Sequence, residues 1–184
     1  LFTMFINFYT TRLILSALGV EDYGIYNVVG GVISLFSFLN GPMTITTQRF
    51  FSFEIGKGKN SNFNKVLSTS LIIHCIISLI IFILSETIGL YIVFYNLNIP
   101  IEKFNIALWV YQISILTSII GVISLPYNAS IIAHEKMGVF ALISIIEAIL
   151  KLATAYLLLI SNTERLILYS IIILFIKLIV CCIN

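Results

Sequence analysis

Apolar residues in this chain fall in long unbroken runs rather than in strict alternation. A helix needs about 20 mostly apolar residues to cross a bilayer, and the uncharged stretches divide the sequence on that basis. Residues 1–18 read as a first helix, interrupted only by Arg12. A tight turn over 18–24 follows, with two glycines and the acids Glu21 and Asp22. Residues 23–48 carry no charge and form the second helix, which Pro42 in Asn40-Gly41-Pro42 is expected to kink. The polar stretch 49–65 reads as a solvated loop and 66–85 as the third helix. Residues 86–103 form a mixed connection whose apolar part, Ile88 to Tyr95, extends that helix. Residues 104–125 form the fourth helix, closed by Pro126, and 127–138 a loop carrying His134, Glu135 and Lys136. Residues 139–160 form the fifth helix, with Glu147 and Lys151 inside it. A short turn over 161–165 leads to the sixth, 166–184, which contains Lys177. The expected fold is an all-α membrane protein, a six-transmembrane-helix bundle in one domain spanning 1–184. Short connections make consecutive helices antiparallel neighbours, and continuous apolar runs argue against a β-barrel.

Composition agrees with the pattern. The chain is 60% hydrophobic and 10% charged, against about 45–50% and about 25% for soluble domains, so it has too little polar surface to coat a globule in water. A net charge of +2 provides no basic field for nucleic acid. Cys75, Cys181 and Cys182 lie inside apolar runs without metal-ligand spacing, and read as reduced packing residues. His74 and Cys75 are adjacent, so on a helix they point about 100° apart, and they read as packing residues too. No nucleophile elbow, phosphate loop or zinc-helix motif occurs, so neither an enzyme nor a cofactor is expected. Both termini fall inside apolar runs, which reads as a piece of a longer protein.

Loop charge sets the expected orientation. Arg49, Lys57, Lys59, Lys65 and Lys136 lie on one side. Lys103 and Arg165 lie on the other, with the acids Glu21, Asp22, Glu86, Glu102 and Glu164. The 49–65 loop and the N-terminus are therefore expected in the cytoplasm.

A charge inside a span costs at least about 2.5–3.5 kcal/mol, so each needs a reason. Glu147 and Lys151 are spaced i, i+4, which puts them on one helix face with the acid first. They are either a self-neutralising structural pair or a switchable pair coupling an ion. Arg12 lies about 10 Å along the helix from Gly19, and either snorkels to the headgroups or faces a cavity. Lys177 lies about eleven residues into its helix, too deep for easy snorkelling. Arg49 sits at a helix end, where it is either an interfacial anchor or a cavity residue. Arg12, Lys151 and Lys177 against Glu147 leave the interior net positive, which suits phosphate or diphosphate. Gly30, Gly31, Ser34 and Ser37, and Ala141, Ser144 and Ala148, recur at helical spacing and read as close-packing positions.

The stretch 12–31, RLILSALGVEDYGIYNVVGG, resembles the start of bacterial polysaccharide export proteins, the O-antigen (Wzx-type) flippases of the MOP superfamily that also holds the MATE exporters. The similarity continues through Thr47-Gln48-Arg49-Phe50, Gly56-Lys57-Gly58, Pro126-Tyr127-Asn128-Ala129 and His134-Glu135-Lys136-Met137. The resemblance implies two six-helix lobes, of which this chain is the N-terminal one, with the C-terminal lobe absent. It implies flipping of undecaprenyl-diphosphate-linked oligosaccharide across the bacterial cytoplasmic (inner) membrane, for lipopolysaccharide or other surface polysaccharide, without a metal. Membrane lipids and polysaccharide assembly proteins are the partners it implies. Arg12 and Arg49 best match the family's cationic cavity positions; Lys151, Lys177 and the coupling role of Glu147 rest on the physical reading. A cation-coupled multidrug exporter of the same fold is the alternative, and a non-catalytic membrane scaffold is an alternative of another class.

Overall fold

The computed structural model describes residues 2–58, 61–97, 99–160 and 164–183, and among them every regular element is helical. The helices are α1 (Phe2–Ser34), α2 (Asn40–Gly56), α3 (Phe63–Leu84), α4 (Leu90–Tyr95), α5 (Phe104–Ala133), α6 (Met137–Ile160) and α7 (Arg165–Ile183). A 3₁₀ turn, Phe36–Leu39, joins α1 to α2, and a π-helical turn, Ser85–Gly89, joins α3 to α4. Four helices are long and apolar enough to cross a membrane: Phe63–Tyr95, Ile101–Ala133, Met137–Ile160 and Arg165–Ile183. The α1–α2 pair, bent by 49°, makes a fifth if it is taken as one span. Long apolar helices of this kind fit a multi-pass membrane protein.

Within α1 the turn expected at 18–24 comes down to one residue. Gly19 has φ 84° and ψ 165°, a backbone region open essentially to glycine alone. Contacts on either side show what it does. Glu147 and Lys177 touch and α6 and α7 are joined by a short connection, so those two helices are antiparallel. Nine residues up α6 and eight up α7 bring Tyr156 and Tyr169 to a common height, about 12–14 Å above that pair. The Tyr9 side chain reaches that of Tyr156, and the Tyr26 ring lies 4.8 Å from that of Tyr169. A straight helix would separate Tyr9 from Tyr26 by about 25 Å. The chain therefore reverses at Gly19, and the two arms of α1 lie side by side.

Other boundaries depart from expectation. The second helix breaks at the 3₁₀ turn, before Pro42, rather than at it. Pro42 is the third residue of α2, in the first turn, where a missing N–H costs nothing. Residues 49–56, expected in a loop, continue α2. Pro126 does not close the fourth helix: α5 runs through it to Ala133, taking in much of the expected 127–138 loop. Proline is tolerated inside such helices because neighbouring groups can re-satisfy the one carbonyl it frees, here that of Val122. The connection through Ile88–Tyr95 is helical, as expected. Lys59 and most of the expected 161–165 turn lie outside the described residues.

The main core occupies the Gly19 end. Ile14, Ala17, Leu18, Ile25, Val29, Val110, Tyr111, Leu158 and Leu166 form one buried cluster, while Ile143, Ile176 and Val180 form a small separate one. Tyr111 donates from its hydroxyl to the Ser85 carbonyl at 2.6 Å, at the π-helical turn. A β-carbon on Gly89 would collide with that hydroxyl, so this glycine is what lets α5 approach. Gly30 and Gly31 have open space where a β-carbon would stand, so they do not mark close packing.

Candidate functional site: a polar slot beside a charge cluster

Below the main core the second arm of α1, the 3₁₀ turn, α5 and α7 part to leave a cavity of about 380 Å³. Hydroxyl and amide side chains line it, among them Ser37, Asn40, Ser114, Ser118 and Asn128, and Lys177 forms part of its wall. The α5 contribution is a stripe: Ser114, Thr117, Ser118, Gly121, Ser124, Leu125 and Asn128 repeat at steps of three and four. That spacing keeps small and polar groups on one helix face. The stripe was legible in the sequence, although runs of apolar residues between its members obscure it.

Lys177 has a second partner set. Its Nζ lies 2.8 Å from Oε1 of Glu147, and Nζ of Lys151 lies 2.9 Å from the same oxygen. The i, i+4 geometry on α6 brings Lys151 in, and the antiparallel packing of α6 on α7 brings Lys177 in. The Glu147 side chain is 20% exposed and each lysine 33%. Two ammonium groups on one carboxylate leave the cluster with one surplus positive charge. Removing the carboxylate would leave two like charges confined together.

The structure does not gather all four cations. Arg12, on the first arm of α1, and Arg49, on α2, are exposed, have no side-chain partner among the described residues, and do not line the slot. Glu86, expected at the outer surface, instead lies within the bundle and accepts from the amide of Gln112 at 3.3 Å. Gln112 is nine residues along α5 from Lys103, about 13 Å into the helix. The π-helical turn carries the chain onward as helix and so holds this acid inside. The interior thus has two acids, not one.

The loop charges do separate by end. Lys103 pairs with Asp22 at 2.6 Å and Glu21 at 3.3 Å, and Arg165 donates to the Ala17 carbonyl at 2.7 Å, all near Gly19. At the opposite end Glu54 holds Lys57 at 2.6 Å and the Asn62 amide at 2.7 Å, and the His134 ring lies 5.0 Å from that of Phe63. Cys75, Cys181 and Cys182 are free thiols, and no group of metal-binding side chains occurs among the described residues. No family model, curated protein or solved structure matches the chain.

Proposed function

We propose that this chain is the N-terminal lobe of a transporter that flips undecaprenyl-diphosphate-linked oligosaccharide across the bacterial cytoplasmic membrane. In this reading the two arms of α1 are separate spans and the bent second arm plus α2 is one, which would give the six spans that the resemblance implies for a lobe. The observation that carries the reading is the Lys151–Glu147–Lys177 cluster beside a hydroxyl-lined slot. A cluster with one surplus positive charge in an apolar setting is costly unless function uses it. The slot is too small for a glycan. In this reading the glycan passes on the outer face of the lobe, against a second lobe, where Arg12 and Arg49 are exposed to meet the diphosphate. The cluster acts as a coupling element: a proton or cation taken up by Glu147 releases Lys177 and frees α7 to shift against α6.

Complementation tests this. The gene carrying the chain is restored to a strain deleted for it, and surface polysaccharide and its lipid-linked precursor are followed. Return of polysaccharide with clearance of the precursor is the expected result, and Arg12→Ala or Lys177→Ala should impair both at normal protein level. Unchanged glycan with altered resistance to cationic dyes would instead favour a cation-coupled exporter.

A further inference from the structure

A second cavity, about 560 Å³, opens between α2 and α3, away from the slot. On α3 its lining runs from Lys65 to Ile77, about 18 Å of helix. The Phe51 and Phe63 rings lie 5.2 Å apart, so Phe51 marks the Lys65 end of the cavity and Pro42 the far end. Phe50 and Ile73 line it, one on each helix, and both remain exposed, so the cavity is an open groove. The residues one turn on, Phe53 and Ile76, are exposed and apolar too, and in a bilayer such a mouth meets hydrocarbon. Thr46, Thr47, Thr69 and Ser70 share the lining, yet the surface presented is almost wholly apolar. Thr69 donates to the Lys65 carbonyl at 2.9 Å, the Ser70 hydroxyl lies 3.5 Å from Nδ1 of His74, and Thr47 is buried. Charge stands at one end only. Lys65 is exposed and has no ion-pair partner among the described residues. It sits in the first turn of α3, which holds no acid, and the start of a long helix favours an anion.

We infer that the α2–α3 groove holds one acyl chain of an anionic phospholipid, with the lipid phosphate at Lys65 and the chain end near Pro42 and Ile77. The hydrocarbon core of a bilayer is about 30 Å thick, so one leaflet is about 15 Å deep, and the groove has the length of a single chain running inward from its headgroup. Water does not fill an apolar space of this kind, and an empty groove forfeits the contacts of its lining. A lysine stem lies readily along an apolar wall with its ammonium at the rim, where a headgroup phosphate stands. A neutral hydrocarbon would fill the groove and leave Lys65 unmatched. A free phosphate would meet Lys65 and leave the groove empty. An anionic lipid satisfies both. The groove shares no lining residue with the slot, and the inference needs only a chain that sits in a bilayer, so it does not rest on the transport reading.

The test uses the chain with ¹³C-methyl-labelled methionine in phosphatidylcholine nanodiscs. Met43 lines the groove near its far end, while Met4 and Met137 are exposed elsewhere and serve as controls. Phosphatidylglycerol or phosphatidylcholine with a nitroxide near the end of one acyl chain is added in equal trace amount. The phosphatidylglycerol label should broaden the Met43 methyl about fivefold more than the phosphatidylcholine label, with no such preference at Met4 or Met137. Lys65→Gln should remove the preference and leave the effect of the phosphatidylcholine label unchanged. Unlabelled phosphatidylglycerol should relieve the broadening, and glycerol phosphate in solution should not. Relief by glycerol phosphate would identify a soluble phosphate as the ligand and overturn the lipid. Equal broadening of Met43 by the two labels would overturn the role of Lys65. An equal preference for phosphatidylglycerol at all three methionines would reduce the site to general attraction by a basic surface. The comparison of lipids on the native chain decides the matter even if Lys65→Gln does not fold.

Discussion

The two ends of this bundle are built differently. Toward Gly19, one contiguous core joins α1, α5, α6 and α7, with its ion pair at the rim, where Lys103 meets Asp22 and Arg165 meets the Ala17 carbonyl, and with Glu86 held beside it by Gln112. Toward the other end the core shrinks to Ile143, Ile176 and Val180 with a few neighbours, and two cavities open. The Glu147 cluster and His74 both lie in this looser part. Dense packing fixes one geometry, whereas elements with few buried apolar contacts have low local stability and are the ones that move. On the transport reading proposed above, the Gly19 end would be the pivot and the opposite end the part that moves.

The largest effect that would break this contrast comes from Glu147. In Glu147→Ala, two lysines that are one-third exposed lose their shared counter-charge. Breaking a fully buried pair costs about 3–5 kcal/mol, and water at the slot should reduce this to about 2–3 kcal/mol. Denaturation in detergent measures it. Adding Lys177→Met should recover most of the loss, because it removes one of the two stranded charges, and the double-mutant cycle isolates that coupling. Exchanging Glu147 with Lys151 is not a clean probe of function. The swap places a lysine opposite Lys177, so it should destabilise whether or not the cluster transports anything, and Lys177→Gln should rescue it.

Much of the architecture follows from local pattern. Uncharged runs located the helices because no water competes for backbone groups in lipid, so an apolar run has little choice but helix. The i, i+4 pairing of Glu147 with Lys151 was equally local. What the sequence hid is non-local. Lys177 reaches Glu147 only because α6 and α7 are antiparallel in one particular register. Glu86 is interior only because a π-helical turn continues the helix past it. The glycines were misread for the same reason: Gly30 and Gly31 have the spacing of a packing motif but open space around them, while the close approach falls at Gly89, which depends on Tyr111 of another helix. His74 reads as a packing residue because its neighbour Cys75 points about 100° away, and nothing local reveals that its Nε2 is buried and unmatched.

Gly89 probes the tight end. Gly89→Ala pushes the Tyr111 hydroxyl off the Ser85 carbonyl and loosens the approach of α3 to α5. Overpacking of this kind costs about 1–3 kcal/mol. Tyr111→Phe loses the same hydrogen bond without the clash, so it should cost about 1 kcal/mol or a little more, and should make Gly89→Ala better tolerated. Thermal unfolding of the four variants measures both terms. If Gly89→Ala is neutral, the Gly19 end is not rigidly packed and the contrast between the two ends fails.

The rim of the same end should matter least. Lys103 holds Asp22 at 2.6 Å and Glu21 at 3.3 Å, yet the lysine side chain is 30% exposed and that of Glu21 63%. Water screens such pairs, and ordering long side chains offsets part of the gain, so Lys103→Met should cost about 0.5–1 kcal/mol. Salt separates that small electrostatic contribution from packing: at 1 M ionic strength the Debye length is about 3 Å, and the gap between wild type and Lys103→Met should nearly close. Persistence of the gap would mean that the lysine stem packs against the start of α5 and that the pair adds nothing. A loss well above 1 kcal/mol that salt does abolish would mean that the reversal at Gly19 is held shut electrostatically, so that the pivot is a latch whose strength follows the ionic medium rather than a fixed corner of the fold.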